Sequence, residues 1–120
     1  MRIPYEYATI QAVPRIERGE LINVGVLLYC QRRDFLQART HLDEDRLRAL
    51  DPGVDLDAVR TALTGWEKTC VGTAQPMSLG ERFRWLVAPR STILRAGPVH
   101  MGLAEDPAAE LERLTALLVH

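Results

Sequence analysis

The sequence predicts an α+β fold: an antiparallel sheet of about four to five strands packed against three to four helices. Three observations carry this. Alternating, β-favouring segments crowd into the first 40 residues, capped helical segments fill the middle, and a short extended stretch precedes a last helix opening at Asp106-Pro107. Grouped strands followed by grouped helices is the α+β pattern.

Residues 5–13 read as a strand with Ala8, Ile10 and Ala12 on one face and Tyr5, Tyr7, Thr9 and Gln11 on the other; Pro14 ends it. Residues 15–20 form a charged turn in which Gly19 is free to take positive φ. The second strand, 21–30, carries Ile22, Val24, Val26, Leu28 and Cys30 at even positions, and that face is expected to be core. Asn23 and Gly25 interrupt its odd face. A glycine in a strand marks a place where another backbone, a side chain or a ligand comes close. Residues 31–34 suit a hairpin turn into a third strand at 35–40, completing an N-terminal meander.

Asp43 caps a short helix, with Glu44 and Asp45 at the positive end of its dipole, and Asp51-Pro52-Gly53 stops it. Leu56, Val59, Leu63, Trp66 and Cys70 recur at helical spacing and predict a helix over 56–70. Ser78 and Glu81 match a capping box opening a helix that stops before Pro89. Residues 91–95 and 99–103 flank Gly97-Pro98 as a C-terminal strand or hairpin. Asp106 followed by Pro107 starts the last helix, with Leu111, Leu114 and Leu118 on its inner face.

A chain of 120 residues, 47% hydrophobic and 26% charged, is expected to form a single domain, 1–120, with its own core. A net charge of -1 offers no general attraction to nucleic acid or to an anionic membrane. Fourteen of the fifteen basic residues are Arg, read as a base-composition bias unless they cluster in space. Cys30 and Cys70 read as buried free thiols, and no Cys or His spacing suits zinc. The N-terminus lacks an apolar leader and no apolar stretch is long enough to span a bilayer, so a cytoplasmic location is expected. No cofactor, metal or catalytic residue is assigned.

Two groups of residues are candidates for binding. Arg18, Glu20 and Asn23, beside Gly25, either contact a polar ligand or a partner's backbone, or form a surface ion pair with an Asn tying down the turn. Arg90 and Ser91, with Thr92 and His100, suit an oxyanion or phosphate. The plainer alternatives are hydroxyl capping at a strand entry and a structural histidine between Val99 and Met101. There is no nucleophile elbow, no P-loop and no EF-hand spacing.

These residues also carry a resemblance. Tyr5-x-Tyr7-Ala8 with Pro14-Arg15, the run Arg18-Gly19-Glu20-Leu21-Ile22-Asn23-Val24-Gly25-Val26, then Ala88-Pro89-Arg90-Ser91-Thr92-Ile93, Gly97-Pro98-Val99-His100-Met101-Gly102 and Asp106-Pro107 together resemble an uncharacterised bacterial family, domain of unknown function 3037. The match runs from about residue 5 to the end. The resemblance implies no reaction. It does imply a partner, since such genes often lie beside one encoding a HipA-like kinase-fold protein. Arg18, Glu20, Asn23, Gly25, Arg90, Ser91 and His100 are the motif positions that carry over, without roles.

The leading expectation is a small non-catalytic binding or adaptor domain acting with a protein partner, or pairing with itself through an apolar sheet face. The alternative is a phosphate- or nucleotide-binding protein, or a hydrolase, in which Arg18, Arg90 and Ser91 hold the anion and Glu20 or His100 is general base. That requires both groups to converge. They would do so if the second strand and the 89–100 segment were sheet neighbours.

Overall fold

Strand β1 (Ile3–Ala12) lies at the centre of the sheet. A computed structural model describes residues 1–71, 77–90 and 92–120. β2 (Ile22–Cys30) pairs antiparallel with one side of β1, and β3 (Phe35–Thr40) pairs antiparallel with β2, giving the expected meander. The other side of β1 is shared by two short antiparallel strands: β4 (Leu94–Ala96) opposite residues 10–12 and β5 (His100–Ala104) opposite residues 3–7. Ile10 faces Ala96 and Tyr7 faces His100, so three steps along β1 match four along this edge. The Gly97 N–H still donates to the Thr9 carbonyl at 2.8 Å, and Pro98, which has no N–H, falls in the slip.

The helices are α1 (Glu44–Leu50), α2 (Leu56–Val71), α3 (Leu79–Val87) and α4 (Pro107–Leu118). Local chemistry sets their starts. The Asp43 carboxylate accepts from the Arg46 N–H, Ser78 and Glu81 form the reciprocal capping box, and the Asp106 carboxylate accepts from the N–H groups of Ala108 and Ala109 ahead of Pro107. Among the described residues no helix is long and apolar enough to cross a membrane.

Both faces of the sheet are covered. On one, Ile10, Ala12, Ile22, Val24, Leu27 and Leu36 pack against Leu47 of α1, the predicted α2 stripe of Val59, Leu63, Trp66 and Cys70, and Phe83 and Leu86 of α3. On the other, Ile3, Tyr5, Val26, Leu28 and Cys30 pack against Leu111 and Leu114 of α4. Tyr5 and Tyr7 therefore lie under or beside the chain's own last helix.

The expectation that all even positions of β2 share one face is wrong, and a β-bulge is the reason. Ile10 faces Gly25 but Gln11 faces Asn23, leaving Val24 as an extra residue. Ile22 and Val24 consequently join the α1–α3 face, while Val26, Leu28 and Cys30 turn to the α4 face. One inserted residue reverses the alternation, because side chains switch faces with period two.

Candidate functional site

The predicted site residues are mostly engaged inside the fold. The turn after β1 is a single 3-10 turn closed by Gly19 at φ 68, and Arg18 Nε pairs with Glu20 Oε1 at 2.8 Å on the exposed surface. Asn23, turned by the bulge onto the α4 face, donates from Nδ2 to the carbonyl of Leu118 at 3.1 Å. It satisfies a carbonyl at the C-terminal end of α4 that has no helical partner, a tie to a distant helix rather than to its own turn. Gly25 admits the neighbouring strand: a Cβ there would sit 2.8 Å from the Arg39 carbonyl oxygen and 3.1 Å from Ile10 Cδ1.

Arg90 folds back over the end of α3. Its guanidinium donates to the carbonyls of Trp85 and Ala88 and lies 4.6 Å from the Trp85 ring centre and 5.8 Å from that of Trp66. A cation on a helix's last carbonyls offsets the negative end of its dipole. Ser91 lies outside the described residues. His100 is exposed on β5, its ring 5.3 Å from that of Tyr7 across the strand pair.

The expected neighbouring of β2 with the 89–100 segment does not occur: β1 lies between them. The Arg18 turn and the segment after α3 do reach the same end of the sheet, where the Val13 N–H donates to the Ile93 carbonyl at 2.7 Å. No hydrogen bond or ion pair among the described residues joins Arg18 or Glu20 to Arg90. His100 sits farther along the β1 edge, opposite Tyr7.

Two surface features lie elsewhere. The first is the open edge. β5 pairs only with β1 among the described strands, its sequence His-Met-Gly-Leu-Ala holds no Lys, Arg, Asp or Glu, and Val99, Met101 and Leu103 are 40%, 72% and 52% exposed. The second is a cleft of about 270 Å³ beside that edge, over the row of cross-strand partners Tyr29, Glu6 and Met101. Arg84 of α3 lies 2.9 Å from both Glu6 carboxylate oxygens, its N–H directed at Oε1. Oε2 is buried, and its contact with Arg84 is an ion pair without hydrogen-bond alignment. Arg32, from the 3-10 turn Gln31–Arg33, lines the same cleft and forms no ion pair or hydrogen bond among the described residues.

Perturbed ionisable groups sit in the scaffold. Tyr5 donates to Glu110 Oε2 at 2.5 Å, and Arg113 grips both Glu110 oxygens at 2.8 Å. Arg113 is the chief reason that the Glu110 carboxyl is pulled down to about 2, and burial, ahead of the bond to Glu110, pushes the Tyr5 phenol up to about 12. Both cysteines are buried and free, as expected, and burial pushes the Cys70 thiol up to about 11. Among the described residues no three side chains are grouped as metal ligands.

The sequence model of a protein family of unknown function, DUF3037, matches residues 7–119. The chain belongs to the DUF3037 family. No curated protein and no solved structure matches it. In this DUF3037 member the signal for the cleft was faint. Glu6 is a lone acidic residue at an even position of β1, whose other even positions from Ala8 to Ala12 are apolar. That departure from alternation is the one hint in the sequence. Its partner Arg84 is 78 residues away, and no spacing rule connects them.

Proposed function

We propose that this chain is a small non-catalytic binding module whose edge strand β5 docks an extended segment of a protein partner. One observation carries the reading: Met101 and Leu103 stand exposed on a strand that pairs with no described strand other than β1, and the exposed Val99 immediately precedes it. Proteins commonly blunt such edges with charges, and β5 has none. An added strand pairs with the backbone groups β5 leaves open, taking the place of Arg2 at the Leu103 carbonyl, while Val99, Met101 and Leu103 give it apolar contact. Because β4 and β5 are split at Gly97-Pro98, the short uncharged stretch at 100–104 is the part open to pairing. A HipA-like kinase-fold protein is the first partner to try, on the strength of the family resemblance.

The test is co-purification from the native host with the wild-type chain and a Val99→Lys/Leu103→Lys variant. Both side chains are exposed, so the variant is expected to keep its melting temperature. A stoichiometric partner lost by the variant, with amide exchange slowed at 100–104 in the complex, supports the reading. A partner retained equally by the variant, or none at all, overturns it. A homodimer lost by the variant would replace the outside partner with a second copy.

The alternative anion-site reading has weaker support. Arg90 spends its donors on the Trp85 and Ala88 carbonyls and Arg18 pairs with Glu20, so neither guanidinium is held ready for a phosphate.

A further inference from the structure

We infer that the segment docked on β5 is an apolar strand with one acidic end: it carries carboxylates where it lies against Val99 and none where it lies against Leu103. This rests on the docking reading above and gives the chemistry of the partner's segment.

Charge changes sign along the edge. Beside Val99 is a hollow of about 460 Å³, lined by Arg90 and Arg95 and by no acidic side chain among the described residues. Arg90 donates to the carbonyls of Trp85 and Ala88, and Arg95 Nε donates to the side-chain oxygen of Gln11 at 3.2 Å. These partners are neutral, so both positive charges stand uncompensated. Beside Met101, Arg32 and Arg84 share a cleft with the single carboxylate of Glu6. Beside Leu103 the balance reverses, since Arg2 and Arg113 meet Glu105, Asp106 and Glu110. Clustering in space is what separates a functional set of arginines from a compositional bias, and here the uncompensated ones gather at the start of the open strand.

Length brings the docked segment to them. β5 has five residues, about 17 Å of strand, so a segment of seven overruns His100 to Val99 and the hollow beyond it. Side chains at that end meet Arg90 and Arg95, and a carboxylate is the group whose geometry matches a guanidinium. Exposed ion pairs add little affinity singly. Backbone pairing and the apolar contacts hold the segment, while charge selects which segment binds and which way it runs. Nucleic acid fits this edge less well: Val99, Met101 and Leu103 offer nothing to phosphates, and unpaired backbone groups match another strand.

The test is titration of the full chain with end-blocked seven-residue peptides of alternating valine and threonine, followed by amide chemical shifts at 99–104. One end carries two glutamates, two threonines or two lysines. The glutamates are placed at the N-terminal end in one peptide and at the C-terminal end in another, because parallel and antiparallel docking bring opposite ends to Val99. One acidic peptide is expected to bind about tenfold more tightly than the neutral one, and the lysine peptides more weakly than either. Raising the salt to about 0.5 M is expected to erase this preference. Arg95→Gln is expected to reduce it severalfold while binding the neutral peptide like wild type. If the neutral peptide binds as tightly as both acidic ones, β5 docks strands but the inference falls. If no peptide binds at millimolar concentration, the docking reading falls with it. A twelve-nucleotide oligothymidylate that binds the same amides more tightly than any peptide overturns the inference, as does a wild-type homodimer that Val99→Lys/Leu103→Lys abolishes.

Discussion

A methyl group at position 25 would have nowhere to go. The nearest obstacle is the Arg39 backbone carbonyl of β3, at 2.8 Å, which cannot swing aside as a side chain can. Gly25→Ala is expected to cost about 1–3 kcal/mol, the usual range for forcing atoms into a packed core, read as a lowered urea midpoint. The Asn23 bond is smaller in scale: Asn23→Ala is expected to lose about 0.5–1.5 kcal/mol and to speed amide exchange in the last turn of α4. Tyr5, Glu110 and Arg113 make the fold sensitive at both ends of the pH scale. Glu110 is ionised more easily folded than unfolded, so its stabilisation is present above the usual value of 4.5 and is lost as pH falls toward about 2. Tyr5 holds its proton more tightly folded, so its contribution is full below pH 10 and disappears as pH rises toward about 12. Tyr5→Phe is expected to flatten the alkaline limb of a stability-against-pH curve; an unchanged limb would show that Tyr5 does not govern it. Residue types alone did not place these roles. Asn23 and Gly25 stood out as interruptions in an apolar strand, but their partners, Leu118 and Arg39, lie far along the chain.

Helices were legible as elements because their ends are local. A cap and the N–H groups it accepts lie within three residues, so Asp43, Ser78 and Asp106 could be assigned from the sequence. Asp106→Ala is expected to cost about 1 kcal/mol, measured by urea denaturation, because it frees two N–H groups at the start of α4. Strands were harder. Their existence followed from composition, but the face each residue takes followed from register. The bulge at Val24 is a property of the β1–β2 pair, and nothing within β2 alone announces it. The division of the last edge into β4 and β5 was signalled by Gly97-Pro98, whereas its sharing of β1 was not.

At the scale of the molecule, three helices cover one face of the sheet and α4 the other, so buried groups are shielded from both sides. Cys30 and Cys70 are both sealed in this way. In native buffer an aromatic disulfide reagent is expected to modify neither thiol within minutes, and in denaturant to modify both. Fast modification of one thiol in native buffer would show that its layer opens. The α+β class, the helix limits and the buried thiols were determined by the sequence itself, because they rest on composition, periodicity and caps that act over a few residues. The tertiary structure alone decided which strands flank β1, which way β2 faces beyond the bulge, that Arg90 turns inward onto α3, and that Glu6, Arg84 and Arg32 share a cleft. Each of these joins residues distant in sequence through the pairing of strands and the packing of layers, and no local preference of the chain encodes such a pairing.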